Sequence, residues 1–341
     1  MTQQIMIEEL VTQSHSITWL PWAVQYFFFI GIAACGALFA CGLRWRGGAQ
    51  SIHLESITLI ITLTCAITAP LALTADLHQP ARVWHFYAYP TPWSWMPWGA
   101  VFLPLFTVFL GLWFIAIQYK THTGKSVAAT RWLALFSALA AIGLLVYTGR
   151  EASILKARPI WFSYAFPITM FLSALQTLFA LLVFAMRRDD VWRRRLGRAQ
   201  LLSLLALAGT VTLWVTGDTL SGNAIRLWLT NSTSARLYAS AWGVLWLCTT
   251  SLAIAISLRA QAMRTLLCGA CFAMALTWLI RWTLLIQVQT VPKYNAQFTP
   301  YTLPNTTDGL QALIGTFGLW VALLIMVREA LGWLARRKQH G

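Results

Sequence analysis

Charged side chains are scarce in this chain. Lysine and arginine number 25 and aspartate and glutamate number 10 among 341 residues, so charged residues make up 10% and hydrophobic residues 58%. Soluble domains carry about 25% charged residues. The composition therefore excludes an ordinary soluble protein and indicates an integral membrane protein. The net charge of +15 lies mostly in short segments between apolar runs, so it indicates membrane topology and argues against nucleic-acid binding.

The sequence also lacks the residue patterns that hold redox cofactors or nucleotides. There is no CxxCH, no cluster of cysteines, no Walker sequence and no GxGxxG after a strand. Cys268 and Cys271 form a CxxC among small residues, which is typical of close helix packing. Four histidines lie outside the apolar runs: His15, His53, His122 and His340. No pair of histidines on facing helices is therefore available to bind a haem. The sequence predicts no haem, no iron–sulfur cluster and no metal in this chain.

Nine apolar runs are long enough to cross roughly 30 Å of hydrocarbon. They are apolar on every face, whereas strands of a membrane barrel alternate in polarity. The sequence therefore predicts an all-α polytopic membrane protein. Residues 1–16 contain two glutamates and no lysine or arginine, so we expect no cleaved signal peptide. The predicted spans are 20–43, 55–77, 97–119, 132–149, 161–186, 199–217, 236–258, 265–288 and 309–334.

Ionisable and aromatic side chains gather in the segment DLHQPARVWHFYAYPTPWSWMPW at 76–98. An ionisable group inside a bilayer costs roughly 2.5 to 3.5 kcal/mol, so such groups persist where they meet water, a partner or a substrate. Tryptophan and tyrosine favour the headgroup level, which places this segment at a membrane face. Tyr147, Arg150 and Glu151 end the fourth span at the same face. Their spacing predicts one helix face with a hydroxyl, a cation and a carboxylate.

Structural roles are the alternative for several of these residues. Arg82 and Arg236 can extend to the headgroups, and Tyr147 alone can be an interfacial anchor. Gln25 in the first span can join two helices by a hydrogen bond. Asp218 and Arg281 are candidates for an ion pair or for a proton path. Asp76 is the hardest to explain structurally, because an acid at the end of an apolar helix needs a partner or a proton.

Three segments in this order resemble the membrane subunits of the NrfD/polysulfide-reductase family: WAVQYFFFIGIAACGALFA, ADLHQPARVWHF and YTGREASILKARPIWFSYAFPITMFLSAL. The resemblance implies a haem-free, quinol-oxidising anchor in the bacterial inner membrane, with menaquinol as an exchangeable substrate. Its partners would be an iron–sulfur electron-transfer subunit and a molybdopterin catalytic subunit on the periplasmic face. It also implies two four-helix bundles, at about 19–149 and 161–288, and an extra helix at about 309–334.

The resemblance also assigns candidate site residues. Tyr147 matches the tyrosine of the family's YTG motif, and Asp76, Arg82 and His85 match its Asp-Leu and Pro-x-Arg-x-Trp-His pattern. Many relatives read LGRP where this chain has His78 before Gln79 and Pro80. We expect Asp76 and Glu151 to relay protons. The expected quinol-site residues are Tyr147, His85, Gln25, Arg82, Arg150 and His78.

Two other functions are compatible with the sequence. The chain can be the anchor of another sulfur-compound or nitrite reductase of this family, because the terminal acceptor is reduced on a different subunit. It can also be a secondary transporter, whose site would lie near the bilayer midplane between inverted repeats. The polar residues gather at one face and no matching pair of interrupted helices is present, so the sequence favours the anchor.

Lysine and arginine are unevenly divided between the two faces, and this predicts the orientation. The basic segment 187–198 and the carboxy terminus should be cytoplasmic, and segments 79–96 and 289–308 should be periplasmic, as should the amino terminus. Alkaline phosphatase fusions should be active at the periplasmic sites, and green fluorescent protein fusions should fluoresce at the cytoplasmic ones. A carboxy terminus found outside would contradict a count of nine spans.

Overall fold

The computed structural model describes residues 17–77, 79–291 and 301–340. This described part is helical and contains no strand, which confirms the predicted all-α class. Nine of its helices are long and apolar enough to cross a membrane. In chain order the helices are α1 (Pro21–Arg46), α2 (Ala49–Asp76), α3 (His85–Ala88), α4 (Met96–Thr123), α5 (Thr130–Ser153), α6 (Ala165–Ala185), α7 (Asp190–Thr216), α8 (Leu220–Asn231), α9 (Thr233–Leu258), α10 (Met263–Arg281) and α11 (Leu310–His340).

Local sequence explains several helix ends. Pro21 begins α1, where its missing N–H leaves no hydrogen bond unmade. Gly47 and Gly124 follow α1 and α4 with φ of 72° and 75°, a conformation that glycine adopts without strain. Successive long helices alternate in direction, so α1, α4 and α6 begin at the end of the molecule where α2 and α5 finish. We call this the Asp76 end.

The helix that corresponds to the predicted sixth span, 199–217, is longer than the span itself. Helix α7 begins at Asp190, and the Asp189 carboxylate caps it by accepting two backbone N–H groups of its first turn. The buried Arg193 side chain pairs with Asp190 at 2.7 Å and donates to the Arg259 carbonyl at 2.9 Å. Carbonyls at a helix carboxyl end attract cations. Arg193 of the basic run can therefore be buried, because its charge has partners.

Two further elements differ from the predicted spans. The connection predicted at 218–235 contains α8, which is capped by the Thr219 hydroxyl. The span predicted at 265–288 is not a continuous α-helix, because α10 ends at Arg281 and continues as a π-helical turn over Trp282–Ile286. Within this turn, the Leu284 carbonyl accepts the indole N–H of Trp161 at 2.6 Å.

The long helices are arranged as two rings of neighbours that are connected through α1. Helices α1, α2, α4 and α5 form one ring of neighbours, and α6, α7, α9 and α10 form another. Helix α1 also contacts α6 and α10, while α11 packs on α1, α2 and α4. Because α1 has neighbours on all sides, even its Gln25 side chain is buried. The division into two separate bundles stays a prediction.

A buried ion pair joins α1, α2 and α4 at the end opposite the Asp76 end. The Glu55 carboxylate is fully buried and lies 2.6 Å from Nη2 of Arg44. It also accepts a hydrogen bond from Nε of Arg44 and one from the indole of Trp113, both at 2.8 Å. Two donors from two other helices therefore converge on one acid of α2.

Replacing Glu55 tests how strongly this contact holds the first helices together. Glu55→Ala leaves a guanidinium and an indole without their acceptor, a change that costs about 3 to 5 kcal/mol in buried pairs. We expect a clearly lower midpoint of thermal unfolding for the purified protein. Glu329→Ala removes an exposed acid of α11 and should leave the midpoint unchanged. Equal midpoints for the two variants would contradict a stabilising role.

Candidate functional site

A cavity of about 320 Å³ lies at the Asp76 end between α1, α2, α4 and α5. Most of its wall is apolar, with Ala23, Phe27, Leu73 and Leu103 among the lining residues. Ligand pockets are commonly concave, apolar and of a few hundred cubic ångströms, with a small number of polar groups that orient the ligand. This cavity has those properties.

Seven side chains that line the cavity bear hydroxyl or carboxyl groups: Thr18, Thr74, Tyr87 and four others. Tyr26 comes from α1, Asp76 from the end of α2, and Tyr147 and Glu151 from α5. Tyr147 and Glu151 interact across one helical turn, as i and i+4 side chains do. Two phenols and two carboxylic acids from three helices therefore surround one apolar space. Such a set can hold a polar ring and can accept and pass on protons.

Tyr26 is the site residue that sequence reasoning missed. Its side chain is 1% exposed, and its hydroxyl has no hydrogen-bond partner among the described residues. A buried polar group without a partner costs roughly 1 to 3 kcal/mol, so a ligand oxygen at this hydroxyl would be stabilised. The sequence feature that could have identified Tyr26 is its position next to Gln25, as the only tyrosine of the first span.

The position of Tyr147 depends on a glycine in the neighbouring helix. A Cβ atom built on Gly99, in the first turn of α4, would lie 2.4 Å from Cζ and 2.8 Å from the hydroxyl oxygen of Tyr147. Real Cβ atoms do not approach other atoms this closely, because packed interiors have no spare volume. The absence of a side chain at position 99 is what lets the phenol lie against α4.

Backbone contacts close the cavity at the Asp76 end. The Asp76 carboxylate accepts the Leu20 N–H at 3.3 Å, and Gln289 accepts the N–H groups of Thr18 and Trp19. On the α4 side, the hydroxyl of Tyr87 donates to the Ala100 carbonyl at 2.8 Å.

Tyr87 compensates for a proline in α4. Pro104 has no N–H for the Ala100 carbonyl four residues earlier, so that carbonyl is available to the tyrosine. The hydrogen bond fastens the segment before α4 to the helix itself. The same segment therefore forms part of the cavity wall, through Val83, Phe86 and Tyr87.

Arg82 and His85 lie outside this cavity. Both line a neighbouring, more open pocket of about 470 Å³, and Val83 and Phe86 belong to the walls of both spaces. The His85 ring packs edge-on against Trp84 with a centroid distance of 4.0 Å. The structure thus does not bring these two of the six predicted quinol-site residues to Tyr147.

Arg150 and Gln25 also point away from the cavity. Successive residues of an α-helix are about 100° apart around its axis. Arg150 and Glu151 therefore lie on opposite sides of the direction in which Tyr147 points, and only one of them can face the cavity with it. The Arg150 guanidinium lies 5.2 Å from the centre of the Tyr164 ring. Gln25 is buried against α11, where its Nε2 donates to the Leu313 carbonyl at 3.1 Å. His78 lies outside the described residues.

The alternative of an ion pair between Asp218 and Arg281 is wrong. Arg281 is buried and donates to carbonyl and hydroxyl oxygens of α1, α6 and α10. Asp218 is exposed and accepts a long hydrogen bond from Asn223. Within the described ranges, no group of three His, Cys, Asp or Glu residues has the geometry to hold a metal ion.

Comparison with known proteins identifies the family of the chain. The chain is 62% identical over 344 aligned positions to a tetrathionate reductase subunit of Salmonella typhimurium, and the alignment covers 100% of both proteins. It is 23% identical over 201 positions to a selenate reductase subunit of Mesobacillus selenatarsenatis, covering 49% of this chain and 47% of that protein. Residues 9–293 match the family described as "Polysulphide reductase, NrfD". This polytopic membrane protein therefore belongs to the NrfD family.

Proposed function

We propose that this protein is the quinol-oxidising membrane anchor of a tetrathionate reductase, and that menaquinol is oxidised in the cavity at the Asp76 end. The observation that carries the proposal is the meeting of Tyr26, Asp76, Tyr147 and Glu151 in one apolar space. We name tetrathionate as the terminal acceptor because the 62% identical relative is a tetrathionate reductase subunit. The cavity itself does not distinguish between terminal acceptors, because that reduction takes place on another subunit.

The four side chains suit the chemistry of a quinol. Oxidation of a quinol to a quinone releases two electrons and two protons from its two hydroxyl groups. In our proposal the phenols of Tyr26 and Tyr147 hydrogen-bond the two head-group oxygens, and the carboxylates of Asp76 and Glu151 accept the protons. The apolar wall holds the ring. Asp76, at the end of α2, then passes protons to the outer aqueous phase.

The isoprenoid tail needs an opening towards the lipid. Thr74 of α2 and Pro104 of α4 both line the cavity and are both exposed, so the cavity reaches the surface between these two helices. Prolines at positions 70 and 104 interrupt the backbone hydrogen bonds on both sides of this gap. We propose that the tail leaves the cavity here.

Electrons leave for a docked partner. Exposed aromatic side chains surround the cavity at the Asp76 end, with exposed fractions of 72% at Tyr89, 84% at Trp93 and 72% at Tyr164. Tyrosine and tryptophan are enriched at binding hot spots. We propose that this surface binds an iron–sulfur electron-transfer subunit on the periplasmic side of the inner membrane, which passes electrons to a molybdopterin catalytic subunit. The chain itself would bind no haem, cluster or metal.

Substitutions in the cavity separate quinol oxidation from later electron transfer. Tyr147→Phe and Tyr26→Phe each remove one hydroxyl, and loss of a hydrogen bond worth roughly 0.5 to 1.5 kcal/mol lowers quinol oxidation about 2- to 13-fold. Asp76→Asn keeps the size but removes a proton acceptor, so it should lower turnover. Each intact complex is assayed with a water-soluble quinol and with an artificial donor that reduces the iron–sulfur subunit directly. The proposal requires loss with quinol only; normal quinol kinetics in all three variants would overturn it.

The glycine beside Tyr147 offers a test that leaves the phenol in place. Gly99→Ala puts a methyl group where the Tyr147 ring lies, so it should displace the hydroxyl and lower quinol oxidation. Gly111→Ala is the matched control, because a Cβ at this position of α4 meets open space. The artificial donor should support equal activity in both variants. Equal quinol oxidation by the two alanine variants would show that the placement of Tyr147 is unimportant.

A further inference from the structure

A second cavity, of about 340 Å³, lies between α1, α5 and α6. Its apolar wall includes Ile142 and Val146 of α5 and Ile168 of α6, whose exposed fractions are 48%, 46% and 46%. These side chains lie on the surface that faces the hydrocarbon, so the cavity opens sideways to lipid. Phe27 forms part of the wall of both this cavity and the quinol cavity.

Arg281 lines the buried side of this second cavity. Its side chain is 1% exposed, and its Nη2 donates to the Met170 carbonyl at 2.9 Å. A guanidinium has five N–H donors. Four have acceptors: the carbonyls of Phe27, Thr277 and Met170 and the hydroxyl of Ser173.

The fifth donor, on Nη2, has no acceptor among the described residues. Nη2 lies beside Gly31, where a Cβ would approach it to 3.0 Å, and Gly31 is part of the cavity wall. The ion pairs of the described part involve Arg44 and Arg193, so no described carboxylate lies within 4.0 Å of Arg281. One buried donor and one uncompensated positive charge therefore face this space.

Arg150 is the second charged residue that lines the cavity, and it too is a cation. It lies three residues before the end of α5, or about 4.5 Å along the helix axis. Met170, which accepts from Arg281, lies five residues after the start of α6, or about 7.5 Å. Both positive charges are therefore within reach of a lipid head group and glycerol backbone at the Asp76 end.

We propose that this cavity binds one anionic phospholipid, with head-group oxygens at Arg150 and Arg281 and one acyl chain along Ile142, Val146 and Ile168. Two cations without a lining acid favour an anion, because charges interact strongly away from water. Basic pockets between membrane helices bind anionic head groups for this reason. A quinol is disfavoured, since no lining group of this cavity can accept its protons. The proposal does not depend on the quinol assignment.

Lipid retention by the purified complex tests the proposal. The complex is exchanged into detergent with phosphatidylglycerol or phosphatidylcholine of the same acyl chains, and bound lipid is counted by native mass spectrometry. We expect one tightly held phosphatidylglycerol and no equivalent phosphatidylcholine. Arg150→Gln should weaken its retention roughly fivefold. Arg236→Gln, at an exposed arginine of the same end, should not.

A pair of tryptophan substitutions locates the lipid. Ile142→Trp fills the cavity and should abolish retention of the phosphatidylglycerol. Leu139→Trp, one turn earlier on an exposed position of α5, should leave it bound. Equal retention in the two variants, or equal binding of phosphatidylcholine, would overturn the proposal. A quinone mass that is lost in Ile142→Trp and kept in Leu139→Trp would assign the cavity to quinone instead.

Discussion

Three membrane helices meet at one buried charge. The Arg281 guanidinium of α10 donates to the Phe27 carbonyl of α1 and to the Met170 carbonyl of α6. A helix carbonyl has two lone pairs, so each can accept this second hydrogen bond without losing its own helical one. Because a buried cation is costly unless it is hydrogen-bonded, the four acceptors of Arg281 constrain the relative positions of α1, α6 and α10. Gly31 provides the space that the guanidinium needs.

Close approaches to α1 and α4 in turn position the site at the Asp76 end. Gly99 lets the Tyr147 ring lie against α4, and Gly36 lets α1 approach Thr62 of α2. Small residues let membrane helices approach closely where the lipid supplies no hydrophobic drive for association. Pro104 and Tyr87 then attach the preceding segment to α4. The proposed quinol site is thus built on packed helices, and its polar groups are held by tertiary contacts.

Phe27 separates two cavities of opposite chemical character. One side has phenols and carboxylic acids, which suit a proton-releasing quinol. The other has Arg150 and Arg281 and opens to the hydrocarbon, which suits an anionic lipid. The Phe27 carbonyl also accepts from Arg281, so the aromatic wall and the buried charge belong to one connected structure. Loss of the proposed lipid on the cationic side would remove packing from the wall of the proposed quinol cavity.

Apolar runs alone were sufficient to predict the helical class and the number of candidate spans in the described part, because hydrocarbon demands long apolar helices. The ionisable and aromatic residues beside these runs indicated the end of the molecule that carries the polar groups. Asp76, Tyr147 and Glu151, which line the cavity, were also predicted from sequence as candidate site residues, since acids and phenols at span ends are costly. Tyr26 was missed, and Arg150, Gln25 and His85 were grouped with a cavity that they do not line. Neighbouring residues of a helix point in directions about 100° apart. Only the packing of α1 against α5 and α11 therefore decides which side chain faces which cavity.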